Sequence, residues 1–81
     1  MKLEELRNAN VRSGIKQCTK ALEADLVKKV FIARDADASL LKNILLLADQ
    51  KGIPVEEANS MKELGQAVSI EVGSAVCVLL S

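Results

Sequence analysis

Lys28-Lys29-Val30-Phe31-Ile32-Ala33-Arg34, then Asp35-Ala36-Asp37-Ala38, then the run from Ser39 to Lys51, is the stretch that decides the fold. The first segment is β-branched and aromatic between cationic ends, which predicts a strand. The second is an acidic turn, with Asp37 placed to cap a helix. In the third, Leu40, Leu41, Ile44, Leu45, Leu47 and Ala48 form one broad apolar face, as a buried helix requires. Gly52 stands in C-cap position and stops it.

Further along, Pro54-Val55-Glu56-Glu57-Ala58 predicts a short strand, whose proline marks its start or a sheet edge. Ser60-Met61-Lys62-Glu63 has the form of a capping box and predicts a helix to about Ala67. Ser69-Ile70-Glu71-Val72-Gly73 reads as a loop. The run Ala75 to Leu80 is apolar at nearly every position, which predicts a strand covered on both faces. Before the opening stretch, residues 3–9 are expected to form a short helix and residues 14–23 a second, with Ser13 as its N-cap. The resulting order of helix, helix, strand, helix, strand, helix, strand predicts an α/β fold with right-handed crossovers. Its expected architecture is one domain over residues 1–81, a three-layer αβα sandwich around a small mixed β-sheet.

Composition narrows the function. The chain has 81 residues, 49% of them apolar, and Phe31 is its only aromatic residue. The core must therefore be aliphatic, and no exposed aromatics remain for stacking nucleobases on a sheet. No stretch approaches the length of a membrane span, and Met1-Lys2-Leu3-Glu4-Glu5-Leu6 lacks the apolar core of a signal peptide, so a cytoplasmic protein is expected. Net charge is zero, which argues against a sliding DNA binder. The charge is segregated, however: residues 1–36 carry a net +3 and residues 37–81 a net −3.

There is no histidine, so the commonest general base and metal ligand is missing. Ser13, Ser39 and Ser60 lack a triad partner. The four glycines are too scattered for a phosphate-binding loop. Asp35 and Asp37 are open to two readings, a divalent-ion site at a strand end or a turn and a helix cap. Neither catalysis nor a cofactor nor a resident metal is expected. Cys18, beside Ile15 and Leu22 on one helix face, and Cys77, in the last strand, are expected to be reduced core residues, with a disulfide between them as the other reading.

Ser13-Gly14-Ile15-Lys16-Gln17-Cys18-Thr19-Lys20 is the candidate functional segment. A helix beginning here presents unpaired N–H groups and its positive dipole end. Gly14 permits close approach of another backbone. Lys16 and Lys20 lie one turn apart, with Gln17 beside them. Two readings are open, a wet helix face or a site for an anion with hydrogen-bonding edges, such as RNA. Ile70 and Val72, which bracket Glu71, are likewise either loop contacts for unstacked bases or part of the core.

Four motifs in order then resemble the kink-turn RNA-binding ribosomal protein family related to L-seven-Ae and L-thirty-e, with its short bacterial YbxF-like members nearest. These are Gly14-Ile15-Lys16-Gln17-Cys18-Thr19-Lys20, Ile32-Ala33-Arg34-Asp35-Ala36-Asp37, Met61-Lys62-Glu63-Leu64-Gly65-Gln66-Ala67 and Ile70-Glu71-Val72-Gly73. Together they cover nearly the whole chain. The resemblance implies an αβα sandwich that binds structured RNA, namely a bulge with adjacent sheared G·A pairs, in a ribosomal or other ribonucleoprotein setting. It implies an RNA-binding set of Ser13, Gly14, Lys16, Gln17, Lys20, Arg34, Asp35, Ile70, Glu71 and Val72. Lys16 and Gln17 would read guanine edges, Lys20 and Arg34 would support phosphate or base contacts, Asp35 would orient a basic neighbour, and residues 70–72 would face the bulge. Lys16-Gln17 departs from the Asn-Glu usual in archaeal members, which implies looser base preference because an amide both donates and accepts. The bland alternative is a protein-interaction domain of the same fold. With no sustained heptad, a monomer is expected.

Overall fold

The computed structural model describes residues 10–67 and 74–80. The expected opening helix over residues 3–9 and the loop Ser69 to Gly73 lie outside the described residues. The elements are β1 (Val11–Ser13), α1 (Ile15–Glu23), β2 (Val27–Ala33), α2 (Ala38–Gln50), β3 (Val55–Ala58), α3 (Met61–Ala67) and β4 (Val76–Leu80).

The four strands form one mixed sheet in the order β1-β4-β2-β3. Strand β4 is antiparallel to both β1 and β2, and β2 is parallel to β3. The central position of β4 explains its continuous apolar sequence: Val76, Cys77, Val78 and Leu79 are all buried. Strand β3 is an edge, as its proline predicts, and the Pro54 carbonyl accepts the Val30 N–H at 3.0 Å.

Helices lie on both faces. On one, α1 and α2 contribute Cys18, Leu22, Leu41, Ile44 and Ala48 to a core shared with Val30, Val76 and Val78. On the other, Leu64 and Ala67 of α3 pack with Phe31, Ala33, Ala58, Cys77 and Leu79. The alternation along β2 and β4 sorts these residues between the faces. Val27 breaks the alternation, since its parity matches Phe31 while it packs with Val30. A register shift between Val27 and Lys29 supplies the extra residue that turns it to the α1–α2 side.

The local stops and starts are those of the sequence. Asp37 is the N-cap of α2, its carboxylate accepting the Ser39 N–H at 2.9 Å and the Ser39 hydroxyl at 2.8 Å. Gly52, at φ +67, follows the last turn of α2. Ser60 Oγ accepts the Glu63 N–H at 3.0 Å and starts α3. Strand β1 has no counterpart in the sequence reading, and it corrects the role expected of Ser13. Ser13 is the last residue of β1, paired with Cys77, and Gly14 takes the N-cap position of α1. Pairing with β4 holds Ser13 extended, and its hydroxyl meets Ser74 rather than the first turn of the helix.

Candidate functional site

The sheet topology gathers distant segments at one end. Strand β1 is antiparallel to β4 and β4 to β2, so β1 and β2 both finish where β4 begins. Ser13, Gly14 and the start of α1 thus stand at the same end as Arg34, Asp35 and the start of β4. The parallel strand β3 ends there too, and the Ala58 carbonyl accepts the Arg34 N–H at 3.0 Å. Strand β4 also begins just after residues 68–73. The expected contacts Ile70, Glu71 and Val72 lie outside the described residues.

The turn into α1 depends on glycine. Gly14 has φ 92 and ψ 148, a backbone region that side chains strongly disfavour. Its N–H donates to the Val76 carbonyl at 3.3 Å, and its own carbonyl accepts the Cys18 N–H at 2.9 Å. Among the described residues, no side chain caps α1 and no acid stands in its first turn. Among the described residues the leading N–H groups of α1 therefore have no side-chain acceptor, an arrangement suited to an anion. Lys16, Gln17 and Lys20 are all exposed on this helix. Cys18, Ala21 and Leu22 turn inward and fix its orientation on the sheet.

Arg34 is exposed at the end of β2, with its Nε 3.9 Å from Glu57. At that distance and exposure the pair is weak and leaves the guanidinium available. The resemblance implies that Asp35 orients a basic neighbour; among the described residues it has no ion pair. Its Oδ1 accepts the Met61 N–H at 2.7 Å and ties the end of β2 to the start of α3. A backbone N–H at a helix start is a better-placed donor than a mobile arginine head. Asp37 is committed to its cap, and Ser39 holds its carboxyl below the ordinary value of 3.8 through two hydrogen bonds. Among the described residues no group of three or more His, Cys, Asp or Glu side chains is placed to hold a metal ion.

Two residues of this region escaped sequence reasoning. Arg12 projects from β1 into a shallow groove of about 260 Å³, which it lines with Gln17, Lys20, Ala21, Leu26 and Leu80. The Val-Arg-Ser alternation at residues 11–13 is its only signal, and three residues are too few to fix a strand. Ser74 is buried beside Ser13, which no local pattern could indicate. Both cysteines are free and buried. Burial pushes the Cys18 thiol up to about 12, helped by the nearby Cys77, and burial also raises Cys77.

The chain is similar to known proteins over nearly its whole length. A family model described as the ribosomal protein L7Ae/L30e/S12e/Gadd45 family matches residues 2–81. An RNA-binding protein of Bacillus pumilus (strain SAFR-032) is 43% identical over 67 residues, which cover 83% of this chain and 82% of that protein. The RNA-binding protein YbxF of Geobacillus stearothermophilus is 33% identical over 75 residues, covering 93% and 92%. Among solved structures, the Giardia lamblia 15.5kD RNA binding protein superposes with a TM-score of 0.88 over 98% of this chain and 70% of that one. At 24% identity, that likeness is one of fold.

Proposed function

The chain belongs to the ribosomal protein L7Ae/L30e/S12e/Gadd45 family, and on that premise we propose that it is a noncatalytic RNA-binding protein that recognises and stabilises kink-turn RNA. The observation that carries the reading is the start of α1: an uncapped, acid-free helix N-terminus with Lys16, Gln17 and Lys20 exposed on the same helix. The relatives named as RNA-binding proteins support it.

The mechanism follows from groove geometry. An A-form major groove is normally too deep and narrow for side chains. A kink with sheared G·A pairs opens it enough to admit a helix end. The leading N–H groups and the dipole of α1 meet phosphate or base oxygens there, and Gly14 keeps the approach free of a side chain. Gln17 donates and accepts at a base edge, and Lys16 supplies a cation to guanine acceptors. Lys20 and Arg34 neutralise phosphates and set register. Residues 70–72 complete the interface against the bulge. The protein binds only RNA already kinked or able to kink, so its shape selects RNA shape. It acts as a cytoplasmic monomer in a ribosomal or other ribonucleoprotein setting.

The deciding experiment titrates a fluorescently labelled kink-turn duplex in about 0.1 M salt, where screening weakens nonspecific contacts. The control is the same RNA with its sheared pairs changed to Watson–Crick pairs. Tight binding and bending of the first RNA alone is the expected result. Equal, weak binding to both would overturn the reading and leave a protein-interaction domain in its place.

A further inference from the structure

Ser74 is the one buried polar residue among those described, with 5% of its surface exposed. A buried hydroxyl is costly unless satisfied, and this one is satisfied at every position. Its proton goes to the Val76 carbonyl at 2.9 Å. With that proton committed, its oxygen is an acceptor for the Ser13 hydroxyl at 2.9 Å and the Cys77 thiol at 3.3 Å. Its backbone N–H donates to the Met61 carbonyl at 2.9 Å. Met61 in turn donates its N–H to Asp35. One hydrogen-bonded chain therefore runs from the end of β2, through the starts of α3 and β4, to the end of β1.

We infer that Ser74 is a positioning residue for RNA recognition, which fixes the Gly14 turn through Ser13 and Val76 and so aims Lys16 and Gln17. The inference rests on the RNA-binding reading above and deepens it. Gly14 is the flexible joint of that interface, and its own N–H bond to Val76 is long, at 3.3 Å. No side chain caps the helix beyond it. Among the described residues, the polar contacts that hold the joint centre on the Val76 carbonyl oxygen and Ser74 Oγ, with a 3.5 Å contact from the Cys18 thiol to the Arg12 carbonyl beside them. Ser13 precedes the joint directly and has Ser74 as its side-chain partner, 61 residues away in the chain. Replacing Ser74 with alanine leaves the Ser13 hydroxyl to the Cys77 thiol and leaves Val76 with the long Gly14 bond and a 3.8 Å contact from the Cys18 thiol. The first turn of α1 then loosens at Gly14, while Cys18, Ala21 and Leu22 keep the rest of the helix on the sheet. A base contact, which needs two hydrogen bonds in register, is lost before the core is disturbed.

The test compares wild type, Ser13→Ala, Ser74→Ala and the double variant by amide exchange and by kink-turn titration. In Ser74→Ala, exchange of the Gly14 and Cys18 amides should rise roughly tenfold, the equivalent of one lost hydrogen bond. The Val30 amide, bonded to Pro54 in β2, should not change. Ser13→Ala should weaken kink-turn binding roughly threefold, and Ser74→Ala, which also loses the Val76 link, by up to roughly tenfold. The double variant should lose no more than Ser74→Ala alone, because that change has already broken the Ser13 link. Unchanged exchange at Gly14 and Cys18, or losses that multiply in the double variant, would overturn the inference. Failure of wild type to distinguish kinked from control RNA would instead overturn the RNA reading. The exchange data would then still decide whether Ser74 holds the turn.

Discussion

At the scale of single residues, the candidate interface divides labour between neighbours on α1. Gln17 is an exposed amide at the open helix end, and Lys20 is a point charge one turn further along. Removing each should leave a different signature. Gln17→Ala is expected to cost about 1–3 kcal/mol against kink-turn RNA and little against the Watson–Crick control. Lys20→Gln should weaken binding to both RNAs and lower the salt slope by about 0.7–0.9, one counterion's share. Titrations at several salt concentrations would check this, and identical signatures would refute the division. Gly14 belongs to neither class. A Cβ there would strike nothing within 4 Å, so the fold's own requirement for glycine is set by its positive φ, and the open space is left to the RNA.

At the scale of elements, the shortest of the described helices depends most on contacts at its start. α3 spans seven residues, Met61–Ala67, too few to persist without outside support. It is held by two starts at once, the Ser60 hydroxyl on the Glu63 N–H and the Asp35 carboxylate on the Met61 N–H. Beneath it, Leu64 is fully buried on the Phe31 face. Ser60→Ala should therefore cost about 1 kcal/mol, read as a lower urea midpoint with an unchanged slope. Because the Met61 carbonyl also accepts the Ser74 N–H, the same change should perturb the amides that follow β4's start. A midpoint equal to wild type would mean that Asp35 alone suffices. Helix α2 behaves differently, since Leu41, Ile44 and Ala48 anchor it independently of its cap.

At the scale of the whole molecule, two small cores share one sheet, and their cysteines sit on opposite faces of it. Both thiols titrate above the ordinary value of 9.0, Cys18 at about 12, with burial the chief cause. The folded chain keeps protons that the unfolded chain has already released. Between 9.0 and about 12 the unfolded state thus binds fewer protons, and stability falls as pH rises. Below 9.0 the contribution is complete. Urea midpoints measured against pH should hold steady up to neutral and mildly basic conditions, then decline. The decline should be shallower in Cys18→Ala. A midpoint indifferent to high pH would show that the thiols are not held in the low-dielectric core.

The sequence by itself determined the α/β alternation, the caps at Asp37 and Ser60, the stop at Gly52, the burial of both cysteines and the wet face of α1. These features depend on residues within a turn or two of each other, where periodicity and capping chemistry act. Tertiary structure alone decided that Val11–Ser13 is a strand, because three residues become one only when β4 lies alongside. It also decided that Ser13 faces Ser74 instead of capping α1, and that Asp35 serves α3 instead of a basic side chain. A short polar side chain bonds whatever donor or acceptor the topology brings within about 3 Å, and no local pattern specifies which segment that will be.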